Sequence, residues 1–312
     1  MKTVVIAIGG NSLITDAKHQ SVRDQYAAVV ETVRHITDLV EQQYRVVITH
    51  GNGPQVGFIL LRSEHSRGLL HQVPLDSIVA DTQGALGYQL QQALENEFCR
   101  RGLKTAVATI VTQTLVERHD PAFTNPTKPI GEFYTRIQAE ERMRVEQWTM
   151  AEDAGRGWRR VVASPKPVRI VEADVVGHLV KDGYVVVAAG GGGIPVVADE
   201  QGLLSGIPAV IDKDLASAVL ASQIGADLLV ISTAVEKVCL NFGRPNERKL
   251  DAITVAQAKE YVAEGHFATG SMLPKVEACV HFIQRGGCGA IITCPSQLSL
   301  ALDGVSGTRI VP

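Results

Sequence analysis

Short β-branched runs that end at glycines alternate along this chain with segments of helical spacing. Lys2 to Ile8 is predicted to form a buried strand that stops at Gly9, and Arg45 to Thr49 a second strand that stops at a His-Gly-Asn-Gly turn. Apolar residues from Val22 to Val40 share one helical face. The pattern continues with helices over 75–98, 173–181, 212–224 and 272–283, and with strands over 105–111, 184–189, 228–232, 290–293 and 308–311, the last as an edge strand. This alternation predicts an α/β fold with a mostly parallel sheet and helices on both faces.

The composition excludes several classes of protein. The 312 residues are 45% hydrophobic and 20% charged, which is enough for a sizeable core. Thirty basic residues against 33 acidic ones leave a net charge of −3, so nothing indicates binding to nucleic acid or to an anionic membrane. The five cysteines are scattered and form no CxxC pair, which argues against a disulfide framework or a zinc site. No apolar run reaches about 18 residues and the start lacks signal-peptide features, so a cytoplasmic location is expected.

One segment interrupts the alternation of strands and helices. Residues 117–168 are rich in Pro, Arg, Glu and polar side chains, and they are too many for a plain connection. We expect an inserted, protruding subdomain or lid here, within a single domain that spans residues 1–312. It carries Lys128, which could reach into a site, although a lone lysine on a loop is more often solvated.

Glycine-rich turns follow several of the predicted strands. Ligands of open parallel sheets bind outside the carboxyl ends of the strands. We therefore expect Gly9-Gly10-Asn11, Gly51-Asn52-Gly53 and Gly190 to Gly193 to converge on a site. Glycines let a ligand approach backbone amides, and Pro54 favours a helix start whose free N–H groups suit an anion. A plain turn would explain the first motif equally well, but four consecutive glycines favour close approach to a ligand.

Two lysines are predicted at the starts of helices, where cations are unfavourable. Lys213 follows Asp212, which can cap its helix, and Lys275 lies in a Gly-Ser-Met-Leu-Pro-Lys sequence. A bound anion would explain both placements, and together the lysines indicate a phosphate clamp. The Walker A pattern is absent, and no Ser-His-Asp set or metal-binding histidine spacing is evident.

Taken together, these motifs resemble those of the carbamate kinases, within the amino acid kinase superfamily. The resemblance rests on AIGGNSL, HGNGPQVG at 50–57, TQGALGY at 82–88, PTKPIGEFY at 126–134, RRVVASPKP at 159–167, GGGGIPV at 190–196, AVIDKDLA at 209–216, TAVEKV at 233–238 and GSMLPKVEA at 270–278. It runs nearly end to end. It implies a three-layer α/β/α sandwich with an open sheet of about eight strands, assembled as a homodimer. It also implies reversible reaction of ATP with carbamate to give ADP and carbamoyl phosphate, with Mg²⁺.

The resemblance implies a role for each matching residue. Gly9, Gly10 and Asn11 would hold the transferring phosphoryl group, Gly51, Asn52 and Gly53 the carbamate, and Lys213 and Lys275 would neutralise the phosphoryl charge with Asp212 orienting them. Lys128 would close over the acceptor, and Thr233, Ala234, Val235 and Met272 would border the nucleotide. No protein ligand of the metal is assigned. Three residues depart from the family pattern: Glu236 stands where Asp is usual, Ser12 where Ala is usual, and Thr82 where Ser is frequent.

Other functions remain open from the residues alone. A related kinase acting on glutamate or acetylglutamate would share the glycine loops and the lysine pair, but it would generally lack the PTKPIG segment. A nicotinamide-dependent oxidoreductase would share glycine-rich turns, but no GxGxxG sequence occurs. A catalytically inactive sensor is the third alternative, and the three lysines argue against it. Carbamate oxygen is already anionic, so a carbamate kinase needs no general base, and none is evident.

Overall fold

An eight-stranded sheet forms the centre of the chain, for which a computed structural model describes residues 1–9, 19–153 and 155–312. In spatial order its strands are Ala252–Thr254 (β15), Thr308–Val311 (β17), Gly289–Thr293 (β16), Leu228–Ser232 (β12), Thr3–Ile8 (β1), Arg45–His50 (β2), Val185–Val187 (β9) and Val107–Thr109 (β3). The six strands from β16 to β3 are parallel, while β17 runs antiparallel to β16 and parallel to β15.

Helices cover both faces of this sheet. One face packs against Val22–Glu41 (α1), Leu75–Arg101 (α3) and Leu298–Leu302 (α9), and the other against Ala173–Lys181 (α5), Lys213–Gln223 (α6), Val255–Ala263 (α7) and Leu273–Gln284 (α8). Strand β1 shows why: Val4, Ile6 and Ile8 pack into one core, and Val5 and Ala7 into the other. A strand buried on both faces is apolar throughout, as parallel sheets require. The predicted three-layer sandwich with about eight strands is confirmed.

Two smaller sheets accompany the central sheet. A four-stranded sheet combines Gln113–Val116 (β4), Pro167–Ile170 (β8), Ile194–Ala198 (β10) and Leu204–Gly206 (β11). A three-stranded sheet combines Lys128–Tyr134 (β5), Met150–Glu152 (β6) and Trp158–Val162 (β7), and it carries helix Arg136–Glu146 (α4). We call β5, α4, β6 and β7 the insert. Helix Gly53–His65 (α2) lies against β5, and Cys239–Leu240 (β13) pairs with Arg248–Lys249 (β14).

Two sequence predictions about the sheet are corrected by the structure. The strand at 308–311 is not at the edge, because the three-residue strand β15 pairs on its outer side. The strand predicted over 105–111 is regular only over Val107–Thr109. In the part of the chain that the structure describes, no helix is both long enough and apolar enough to cross a membrane.

Candidate active site

A cavity of about 520 Å³ opens at the carboxyl ends of the central strands, beside the insert. The turn after β2 lines one side, and the helix starts of α6 and α8 line another. Strand β5 of the insert completes the wall. Of the predicted site residues, Gly51, Asn52, Gly53, Lys128, Asp212, Lys213, Thr233, Ala234 and Lys275 line this cavity.

Helix α2 begins in the cavity, and no side chain among the described residues caps its first backbone amides. Its N-cap residue is Asn52, whose side chain makes no capping hydrogen bond and instead donates from Nδ2 to Thr82 Oγ1 at 2.8 Å. Pro54 occupies the first turn, as the sequence predicts. The free N–H groups and the positive end of the helix dipole suit an anionic ligand.

His50 lies directly behind this turn and is almost fully buried. Burial lowers the pKa of His50 to about 4, outweighing the hydrogen bond to Gly51, and the charge of Lys213 lowers it further. The imidazole is therefore neutral at physiological pH. Since Nδ1 lies 3.0 Å from the carbonyl oxygen of Gly51, we assign the ring proton to Nδ1, which donates to that oxygen. This hydrogen bond holds the turn in place.

Protein groups lie close around each of the four glycines at 190–193. A methyl group would lie 2.4 Å from His50 Nε2 at Gly190, and 2.0 Å from Asn52 Nδ2 at Gly191. At Gly192 and Gly193 it would strike Ile211 and Thr114, and the last three glycines have positive φ. Close approach of this turn to a ligand stays a prediction. Only Gly191 borders the cavity.

A buried carboxylate joins the two predicted lysines. Asp214 accepts hydrogen bonds from Lys213 Nζ at 2.5 Å and from Lys275 Nζ at 2.9 Å. Burial by itself raises the pKa of Asp214, but the two lysines outweigh it and lower the pKa to about 2. Burial also lowers the pKa of Lys213, against the opposing effect of Asp214. The sequence assigned the orienting role to Asp212; the structure gives both direct contacts to Asp214.

The two carboxylate oxygens of Asp212 accept hydrogen bonds from other groups. Its Oδ1 caps α6 by accepting from the backbone N–H groups of Asp214 at 2.9 Å and Leu215 at 3.3 Å. Its Oδ2 accepts from Lys128 Nζ at 2.9 Å. Lys128 belongs to β5, so the insert delivers a third ammonium group to the cavity. That side chain is not simply solvated.

The remaining predicted residues have different positions. Val235 and Met272 are absent from the lining of the cavity, although Met272 is the N-cap residue of α8. Gly9 packs against the backbone of Ser232 and Thr233. Glu236 accepts a hydrogen bond from Ser306 Oγ at 3.0 Å. Gly10, Asn11 and Ser12 lie outside the described residues. Within the described ranges, no group of three or more His, Cys, Asp and Glu residues could hold a metal ion.

Comparisons with known proteins agree with this architecture. The model of the amino acid kinase family matches residues 2–294. The carbamate kinase-like protein YahI of Escherichia coli is 50% identical over 311 residues, covering 99% of this chain and 98% of that protein. The carbamate kinase of Clostridium perfringens is 48% identical, with 99% of each chain covered. The structure of the Giardia lamblia carbamate kinase bound to AMP-PNP superposes with a TM-score of 0.93 at 43% identity, over 99% of this chain and 98% of that one.

The chain belongs to the amino acid kinase family. Full-length identity of this order places it among the carbamate kinases of that family, as the sequence motifs predict.

Proposed function

We propose that this chain is a carbamate kinase that transfers a phosphoryl group reversibly between ATP and carbamate, giving ADP and carbamoyl phosphate. The observation that carries the proposal is the pair Lys213 and Lys275 on the shared carboxylate of Asp214, beside the uncapped start of α2. Its family relatives include carbamate kinases of similar length. This arrangement favours a ligand that carries a concentrated negative charge.

Phosphoryl transfer demands positioning and charge neutralisation more than covalent chemistry from the protein. Lys213 and Lys275 would hold the oxygens of the transferring group, with Asp214 fixing both ammonium groups in place. The amides of Gly51 to Gly53 would hold the carbamate. The carbamate oxygen attacks without losing a proton, so the neutral His50 needs no role as a base. Donors that are preorganised around developing charge can supply most of such a rate enhancement.

Mg²⁺ is part of the proposed reaction, where it would supply positive charge to neutralise the phosphates of the nucleotide. Both oxygens of Asp214 are already bonded to lysines. Asp212 is the other carboxylate that lines the cavity among the described residues. Mg²⁺ commonly binds through one or two carboxylates, substrate phosphates and water. The Oδ1 of Asp212 already caps α6, and its Oδ2 already accepts from Lys128. The donor set therefore fits a metal that arrives with ATP or ADP and is bound mainly by phosphates and water.

The insert would act as the lid over the acceptor. Carbamate is small and labile, so a closed site that excludes water favours transfer over hydrolysis. Lys128 would neutralise the acceptor end of the reacting group while Asp212 holds it. Thr233 and Ala234 would border the nucleotide, with Val235 and Met272 near it, and Gly9, Gly10 and Asn11 would hold the phosphoryl group.

We further propose a homodimer in the cytoplasm, acting in arginine metabolism. Strand β3 ends the central sheet, and the exposed side chains of Tyr88 and Val111 lie beside a concave surface there. This edge is the face that we propose for the second copy. Light scattering at micromolar concentration tests the dimer, and Tyr88→Glu should shift it to monomer.

The test of function is ATP formation from ADP, Mg²⁺ and carbamoyl phosphate, followed by a coupled assay. We expect rapid formation of ATP by the wild type and its loss in Lys275→Ala. Reduction of NAD(P) by the protein itself is measured as the control for the oxidoreductase alternative. A folded protein that binds ADP but makes no ATP would overturn the choice of acceptor. Phosphorylation of glutamate or acetylglutamate by ATP would then identify the alternative kinase.

A further inference from the structure

Helix α2 crosses strand β5 with direct backbone contact. A methyl group at Gly57 would lie 3.2 Å from the Cα of Gly131, and 3.6 Å from its backbone nitrogen. Such a distance is tighter than an ordinary van der Waals contact, and the atoms on the other side are backbone. Gly131 itself has φ +71°, a conformation that side chains rarely adopt. Gly57 is therefore needed for the insert to lie this close to α2, and Gly131 is needed for the backbone conformation of β5 at the contact.

Gly131 lies three residues from Lys128 on the same strand. Between them β5 is paired with β7, with Lys128 opposite Val162 and Ile130 opposite Arg160. The regular register ends after Ile130, so the paired part of the strand runs from the Gly57 contact back to the cavity. A displacement of β5 at Gly131 is thus passed to Lys128, whose Nζ bonds to Asp212 at 2.9 Å.

Charged side chains attach the insert to the other end of α2. Arg67, just beyond the helix, pairs with Glu146 of α4. Arg142 of α4 lies 3.3 Å from Glu64 of α2, whose side chain is only 9% exposed. The insert therefore contacts α2 at Gly57 and near the C-terminal end of the helix. Together the two contacts fix both the distance of the insert from α2 and its orientation relative to the helix.

We propose that the contact between Gly57 and Gly131 sets the distance of β5 from α2 and so places Lys128 over Asp212 for the reaction. The catalytic consequence depends on the proposed function, whereas the placement of β5 does not. Gly57 and Gly131 act as positioning residues through Lys128, without touching a substrate. A larger residue at position 57 would lift β5 and withdraw the ammonium group.

Gly57→Ala is the variant that tests this. Alanine suits the helical backbone of α2 better than glycine does, so the variant should fold. We expect the KM for carbamoyl phosphate to rise about tenfold or more, because small misplacements near reacting groups are costly, while the Kd for ADP stays unchanged. In a Lys128→Ala background the same change should have little further effect, since both act through one group. Gly177→Ala in α5 is the matched control, because its methyl group would contact Ile224 at an ordinary 3.6 Å.

Hydrogen–deuterium exchange gives a readout that does not depend on activity. We expect Gly57→Ala to speed the exchange of amides in β5 and β7 and to leave α3 unchanged. Absence of ATP formation by the wild type would overturn the proposed function, and exchange would still decide the placement of β5. An active wild type together with unchanged KM and unchanged exchange in Gly57→Ala would overturn this inference alone. Equal losses with and without Lys128 would also overturn it, because they would mark a general structural defect.

Discussion

Replacing Asp214 with asparagine removes a charge that two lysines share while keeping the size of the side chain. The Asp214 side chain is 4% exposed, and its oxygens bond to Lys213 and Lys275 at 2.5 and 2.9 Å. The lysines lower its pKa from 3.8 to about 2 in spite of burial. A shift of this size corresponds to roughly 2–3 kcal/mol of stabilisation at neutral pH.

The loss of unfolding free energy in Asp214→Asn should exceed that figure. Burial already lowers the pKa of Lys213, and without Asp214 the two ammonium groups would repel each other with no carboxylate between them. Breaking a buried ion pair from one side costs about 3–5 kcal/mol. For a chain of this length, such a loss lowers Tm by roughly 5–8 °C. Turnover should fall as well, because neither lysine is then held.

Urea unfolding of Asp214→Asn and wild type at several pH values measures this, with the exposed Asp182→Asn as the matched control. The folded state lowers the pKa of Asp214, so its contribution is complete above about pH 4 and is lost as the pH falls toward 2. The difference between wild type and variant should therefore shrink over that range. Equal stability at pH 7, or a difference that does not change with pH, would refute the reasoning.

Three further changes test other parts of the structure. Lys275→Ala should lower turnover about 100- to 1000-fold in the coupled ATP assay while the protein still melts cooperatively. Gly191→Ala should cost about 1–3 kcal/mol in urea unfolding, because the methyl group would strike Asn52 and φ is +66°. Arg101→Ala should cost about 1–3 kcal/mol and leave kcat unchanged, because its guanidinium joins three carboxylates of α1 and α3 far from the cavity.

Each of these has a result that would contradict it. Full activity in a folded Lys275→Ala would remove that lysine from the site. A Gly191→Ala variant as stable as wild type would mean that Asn52 can move aside. If Arg101→Ala lowered kcat without lowering stability, the contact between α1 and α3 would have a role in activity that the structure does not explain.

The layers of the fold could be predicted because they depend on local patterns. An apolar strand such as β1, followed by glycine and a helical repeat, specifies a parallel sheet between helices. The edge of the sheet could not be predicted in the same way. Strand β15 has three residues, and its pairing with β17 is a contact between segments more than 50 residues apart. No local property of Thr308–Val311 indicates whether another strand lies outside it.

The candidate site was predictable in its residue types but not in its pairings. Asp212 and Asp214 flank Lys213 in the sequence, and either could have faced the lysines. Helix geometry decides, because Asp212 is the N-cap residue and turns its Oδ1 to the first amides of α6. Asp214 lies inside the first turn, where its side chain reaches Lys213 and the start of α8. The residues that pack against a glycine cannot be identified from the sequence either, so the contacts of Gly190 with His50 and of Gly191 with Asn52 were not predicted.

The charges that meet in the cavity differ in sign from those of the whole chain. The chain carries a net charge of −3. The described residues that line the cavity include three lysines and two aspartates, so one positive charge is in excess. The uncapped start of α2 adds the positive end of a helix dipole. Holding Lys213 buried at a lowered pKa costs stability in the free protein, and an anionic ligand beside it would relieve that cost. A fold that concentrates like charges in this way is best explained by a ligand that brings more than one negative charge, as a phosphoryl group does.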